Sequence, residues 1–293
     1  MRDTVRPVTL SRIVEIIYFC HQEAHPTPEK IEEAFGMSGN RTNEVLSELD
    51  RLSLITIADE IELAPSGDQL HDAVQQAEWQ DIHEVLYRAS PHYQIFIDTL
   101  AERENNETGV DEDQLLSALE RRDHDFRFNK TGVSLLTDWA ERLEVIQRNV
   151  FENRYFNIES STDSETFAKT LQDQHDEMEV TRGLGMRQRY ISIPKLREYV
   201  CERLNIPRDT FDDHLISLVQ ANIGGMELSG APHDTQAKES RLGIKTITLT
   251  KEDGVVSTSM SSDRVLSGII MPDGKMYYYL TIFEQLMDGE TDE

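Results

Sequence analysis

Apolar residues at helical spacing, each series closed by short runs of alternating character, most tightly bound what this chain can fold into. Leu10, Ile13, Val14, Ile17 and Tyr18 recur at the three-and-four spacing that lays one stripe of an α-helix against a core. Thr27-Pro28-Glu29 opens a second helix: the Thr27 hydroxyl can accept from an unpaired N–H of the first turn, and Pro28 loses nothing at the first helical position. Gly36-Met37-Ser38-Gly39 is a turn, after which Ser38 or Asn40 caps a third helix through Leu52, with Val45, Leu46, Leu49 and Leu52 on one face. Leu54-Ile55-Thr56-Ile57 and Ile61-Glu62-Leu63 read as two short strands, and Pro65-Ser66-Gly67-Asp68 starts a helix expected to reach Arg88.

Three helices, a β-hairpin and a trailing helix make an order that resembles the winged helix-turn-helix family. The residues carrying the resemblance are Pro28 to Gly36, Asn43-Glu44-Val45-Leu46-Ser47-Glu48-Leu49 and Leu54-Ile55-Thr56-Ile57. Glu62-Leu63-Ala64-Pro65-Ser66-Gly67 is similar to the family's second wing strand and the Leu-Thr-Pro-x-Gly that follows it, with Ala64 in place of the threonine. The resemblance covers the first quarter of the chain. It implies a module that either reads DNA with its third helix or docks onto protein.

The plan recurs twice in weaker form. From 90 to 159, Tyr93, Ile95, Phe96 and Leu100 mark a helix, Val110 to Asp113 starts a second, and Asn129 or Thr131 opens a third carrying Val133, Leu135, Leu136 and Trp139. A hairpin follows, Val145 to Arg148 against Arg154 to Ile158. Residues 160–187 read as a linker with a weak helix, Ser160 to Ser164 being the best linker stretch. From 188 to 293, helices around Leu196 to Leu204 and Phe211 to Val219 precede strands at Met226–Leu228, Ile244–Leu249, Gly254–Thr258 and Met276–Ile282, with a tight turn at Pro272-Asp273-Gly274-Lys275. The expected class is α+β: mostly helical, with winged-helix-like modules at 1–89, 90–159 and 188–293, the last richer in strand.

Charge sets the chemical background. The 293 residues hold 55 acidic side chains against 29 basic ones, of which 8 are lysines, for a formal net charge of -26. Such self-repulsion weakens at molar salt, where the Debye length falls to ~3 Å. Few lysines, many acids and an apolar fraction of 38% resemble the proteins of extreme halophiles, haloarchaea in particular. Cys20 and Cys201 sit among apolar residues and read as core thiols rather than a disulfide. With no apolar run of membrane-spanning length and no apolar stretch after Met1, the chain is expected to be cytoplasmic.

Against this background, local reversals of charge carry the functional signal. Arg182, Arg187, Arg189, Lys195, Arg197, Arg203 and Arg208, opposed only by Glu198 and Glu202, give a stretch of net +5, an arrangement suited to backbone phosphates. The same island could instead neutralise the acids around Asp173, Asp176, Glu177 and Glu179. Arg121, Arg122, Arg127 and Lys130, cut to a net +2 by Asp123 and Asp125, form a second cluster with Phe126 and Phe128 between them at the turn before the third helix of the second module, suited to phosphate contact or simply a solvated turn with two core phenylalanines. In the first module Arg41 and Asn43 could read base edges, while Glu44, Glu48 and Asp50 on the same helix would repel phosphate.

Catalytic signatures are missing from the sequence: no phosphate-cradling P-loop, no dinucleotide fingerprint and no nucleophile elbow. His21 and His25 stand four apart without a third ligand nearby, so no metal or cofactor is expected. The expectation is a non-enzymatic, cytoplasmic protein binding double-stranded DNA through tandem winged helices, in regulation or a DNA-processing complex. The alternative is an interaction subunit docking onto a larger nucleic-acid enzyme, or onto its own copy, without direct DNA binding. Neither involves a membrane or a small-molecule substrate.

Overall fold

The computed structural model describes residues 5–23, 25–58, 60–104, 109–158, 161–180, 190–230, 244–252, 255–261 and 263–283. The chain is mostly helical with small antiparallel sheets, an α+β protein. Its tertiary contacts gather into two compact units: Met1–Asn105, Asp111–Ile146 and Lys245–Met260 form one, and Asn106–Val110, Gln147–Ile244 and Ser261–Glu293 the other. The helices of the first two expected modules therefore share a unit, while the second hairpin falls largely in the other.

The first unit starts with α1 (Leu10–Gln22), α2 (Pro28–Phe35) and α3 (Gly39–Arg51). Thr9 and Thr27 cap the first two, accepting from Arg12 N at 3.3 Å and Lys30 N at 3.4 Å. Gly36 ends α2 in the left-handed region at φ 59°. β1 (Ile55–Ile57) and β2 (Ile61–Leu63) pair antiparallel, Ile55 opposite Leu63. The single helix expected from Pro65 to Arg88 is two, α4 (Pro65–Gln76) and α5 (Trp79–Ala89). Ala77 adopts φ 57° and its N–H caps α4, so the chain turns there without a glycine or proline to announce it. Gly67 is obligatory, since a Cβ would stand 2.0 Å from the Leu54 carbonyl oxygen.

Three more helices complete this unit: α6 (Pro91–Glu104), α7 (Glu112–Arg121) and α8 (Lys130–Arg142). Asp111 and Gln114 form a reciprocal capping box on α7, and Asn129 caps α8 by accepting from Gly132 N at 2.8 Å. Tyr93, Phe96, Leu100, Leu136 and Trp139 are buried. The extended segment before α1 also packs here. Val8 is fully buried, its carbonyl accepts from Trp139 Nε1 at 3.2 Å, and Val5 lies against Gly132.

In the second unit, β3 (Ile146–Asn149) pairs with β4 (Arg154–Asn157), and Val110 bridges to Tyr155 through two backbone bonds. The weak helix expected within 160–187 is a 17-residue one, α9 (Ser164–Val180). Asp163 caps it, and Phe167, Ala168 and Leu171 enter the core. β5 (Ile191–Ser192), α10 (Ile193–Leu204), α11 (Arg208–Ala221) and β6 (Met226–Ser229) follow. β7 (Ile244–Glu252) and β8 (Val255–Ser261), which belong almost wholly to the first unit, pair with each other, and α12 (Asp263–Leu266), β9 (Ile269–Ile270), β10 (Met276–Tyr277) and β11 (Tyr279–Ile282) complete the order. The strand expected over Met276–Ile282 divides at Tyr278. β10 pairs with β9 across the Pro272–Lys275 turn, where Gly274 takes φ 80°, while β11 lies between β5 and β6. Phe156, Phe167, Leu196, Val200, Phe211 and Leu215 form the core of this unit.

Candidate interaction surfaces

α10 and α11 place the described part of the basic island, and they place much of it inward. Arg197 is 1% exposed; its Nε donates to Asp212 Oδ1 at 2.7 Å and its Nη1 to the Ser267 carbonyl at 3.0 Å. Burial raises the Asp212 carboxyl above its ordinary range, and Arg197 offsets this in part. Arg208 donates to both oxygens of Glu198, at 2.5 and 2.7 Å, and to the Arg148 carbonyl at 2.8 Å. Glu198 is fully buried and also accepts from Val150 N at 3.2 Å. A buried guanidinium matched this closely to carboxylate and carbonyl oxygens cannot turn to a phosphate without leaving a carboxylate stranded. Arg197 and Arg208 are therefore structural residues rather than surface cations.

The other described members of the island, Lys195 and Arg203, make separate contacts. Arg203 pairs with Glu177 on α9 at 2.7 Å, and Lys195 lies 5.4 Å from the ring centre of Tyr199. Glu202, one of the two opposing acids, is buried and accepts from Asn149 Nδ2 at 2.6 Å. Arg182, Arg187 and Arg189 lie outside the described residues.

In the second cluster, Arg122 donates to Thr99 Oγ1 and Glu102 Oε1, both at 2.8 Å, and Lys130 pairs with Asp113 at 2.7 Å. Arg121 and Arg127 are exposed. Phe128 is buried, and Phe126 and Phe128 meet the ring of His92 edge-on at 4.7 and 5.4 Å, so these aromatics belong to the packing.

α3 and α8 occupy the positions expected to read bases. On α3, Asn43, Ser47 and Asp50 face solvent, but Arg41 is drawn to Glu44 at 3.1 Å and to the Pro7 carbonyl at 2.6 Å. Glu48, expected to repel phosphate, is 2% exposed and paired with Arg51 at 2.5 Å. α8 exposes little beyond Lys130, Thr131 and Ser134, because the segment from Val5 to Val8 lies along it. The cleft beside α8, about 700 Å³, is lined by Pro7, Thr9, Lys130, Ser134, Asp138 and Arg142, with the last two paired at 2.8 Å. Its charges thus largely cancel.

The second unit offers a different surface. A cleft of about 500 Å³ is walled by Val219, Met226, Leu228, Met271, Pro272 and Tyr277. Nearby in the strand pairing, Ile223 bridges to Met226, and Ile270 sits opposite Met276. Ile223 is 90% exposed, Ile270 57% and Phe283 51%.

Cys20 and Cys201 are buried and free; burial pushes the Cys20 thiol up to about 12. Among the described residues, His175, Asp176 and Glu179 form a group able to hold a metal ion, and no helix is long and apolar enough to cross a membrane. No protein-family model, curated protein or solved structure matches the chain.

The sequence missed the covering of α8 by the segment before α1. The signal was present in Leu135, which lies off the Val133–Leu136–Ala140 stripe and marks a helix packed on more than one side.

Proposed function

We propose that this chain is a non-enzymatic interaction protein built on winged-helix-like modules, which docks onto a larger protein rather than holding DNA through its basic positions. The observation that carries this reading is the burial of Arg197 and Arg208, each matched to carboxylate and carbonyl oxygens inside the fold, while Arg41, Arg122, Lys130 and Arg203 are paired with carboxylates at the surface. The order α1–α2–α3–β1–β2–α4, and α6–α7–α8–β3–β4 after it, supports the winged-helix-like description. The cleft between α11, β6 and the 271–273 turn, whose apolar wall is rimmed by Gln220, Glu227 and Asp273, supports a protein partner. A larger nucleic-acid enzyme is the partner class this reading carries forward.

One observation favours a second reading, direct DNA binding. Arg121 and Arg127 are exposed at the turn before α8 and carry no ion pair or hydrogen bond among the described residues. Fluorescence anisotropy with duplex DNA, repeated over a range of KCl, separates the two. The docking reading expects no saturable binding. Saturable binding that weakens steeply with salt and disappears in Arg121→Glu/Arg127→Glu would replace it with the DNA reading. Conversely, Ile270→Asp, at a 57% exposed position, is expected to release a stoichiometric partner from the protein purified from its own cells, while circular dichroism stays unchanged.

A further inference from the structure

We propose that His175, Asp176 and Glu179 on α9 bind a divalent transition-metal cation of the zinc and manganese class. The inward stripe of α9 starts as Phe167, Ala168 and Leu171 and continues, one turn on, as Gln174 and His175. An apolar face thus changes to a polar one while staying buried. The His175 ring is 1% exposed, and neither Nδ1 nor Nε2 has a hydrogen-bond partner among the described residues. A neutral imidazole carries one donor and one acceptor, and burying both unmet is costly. Asp176 Oδ1 lies 3.6 Å from Nδ1, too far for a hydrogen bond but suited to two ligands facing one ion.

The geometry of the group fits a cation. One ligand atom from each residue lies within 4.8 Å of the others. With metal–ligand bonds of about 2.0–2.2 Å, an ion between them needs only small side-chain rotations. His175 and Glu179 stand four apart and so share a helix face. Gln172 Nε2 donates to Asp176 Oδ1 at 3.0 Å, which holds that carboxylate as outer partners of metal ligands commonly do. Asp176 is exposed, leaving a route in from solvent and positions for water. Glu177 is engaged with Arg203 and is not a ligand. The last turn of the helix adds partial negative charge. The imidazole nitrogen selects a transition metal over magnesium or calcium, which prefer oxygen alone. It also separates this group from the many solvated carboxylates of so acidic a chain.

The test is calorimetric titration and thermal denaturation of the full chain with Zn²⁺, Mn²⁺ and Mg²⁺ in molar KCl, with Co²⁺ absorption as the probe of nitrogen ligation. One Zn²⁺ site, a raised melting temperature and new Co²⁺ bands are expected. Glu179→Gln should weaken Zn²⁺ by at least about tenfold, the lower bound for losing even an outer partner, and His175→Gln should abolish the Co²⁺ bands. If His175→Gln does not fold, Glu179→Gln decides. The absence of a saturable site, weak multi-site uptake equal for Zn²⁺ and Mg²⁺, or unchanged affinity in a folded Glu179→Gln variant overturns the assignment.

Discussion

At Arg208 the guanidinium gives up its water and receives both oxygens of Glu198 and the Arg148 carbonyl. Arg197 makes the same exchange with Asp212 and the Ser267 carbonyl. Neither is distinguishable from Arg203 by its place in a run of sequence, because the carboxylates and carbonyls that bury them come from 10 to 70 residues away. Histidine shows a related effect that can be measured. His83 is buried on α5 beside the Tyr93 hydroxyl, and desolvation lowers its affinity for a proton. Burial likewise lowers that of His71. The unfolded chain, titrating near the usual ~6.5, then binds protons that the folded chain refuses. Stability is therefore complete above that value and lost as pH falls below it, by up to about 1.4 kcal/mol per pH unit for each such group. Urea denaturation between pH 7.5 and 5 should show this slope, and His83→Gln should reduce it; an unchanged slope in the variant would remove His83 as a cause.

Elements were legible where their ends carry chemistry of their own. Thr27-Pro28 and Pro272 to Lys275 announce a cap and a turn through local bonds, and each forms where expected, while the helix expected to start at Val110 to Asp113 is fixed by the Asp111–Gln114 capping box. The division of α4 from α5 at Ala77, and of β10 from β11 at Tyr278, has no such local marker; packing decides both. α8 belongs with these, since its role depends on the segment that covers it. Removing residues 1–8 takes away the buried Val8 side chain and the Trp139 hydrogen bond, a loss of about 2–3 kcal/mol. Trp139, 2% exposed, should then emit at longer wavelength and be quenched by acrylamide, with Trp79 replaced by Phe to isolate its signal. An unshifted emission would mean that the segment does not cover α8 in solution.

For the whole molecule, the -26 charge is the dominant long-range term. Surface ion pairs such as Arg88–Glu84 offset little of it, because exposed pairs contribute about 0–1 kcal/mol each. Repulsion among the remaining acids grows as salt is removed and the Debye length lengthens from ~3 Å at 1 M to ~10 Å at 0.1 M. Melting temperature is therefore expected to drop on transfer from molar to 0.1 M KCl. Neutralising the exposed Glu33, Glu62, Glu120 and Asp173 to their amides should recover part of the loss at low salt and little at high salt. A melting temperature independent of KCl would contradict the halophile-like reading of the composition.

By itself, the sequence determined the helical class, most helix starts and the order in which short ribbons close each helical group, since these follow from spacing and capping within a few residues. It also determined the acidic background. Only the tertiary structure decided which of the described arginines face water, that the helix α9 enters the core, that the segment before α1 lies over α8, and that His175 is buried with two unmet nitrogens. Charge and periodicity are properties of a stretch of chain, whereas desolvation depends on what distant residues bring against it.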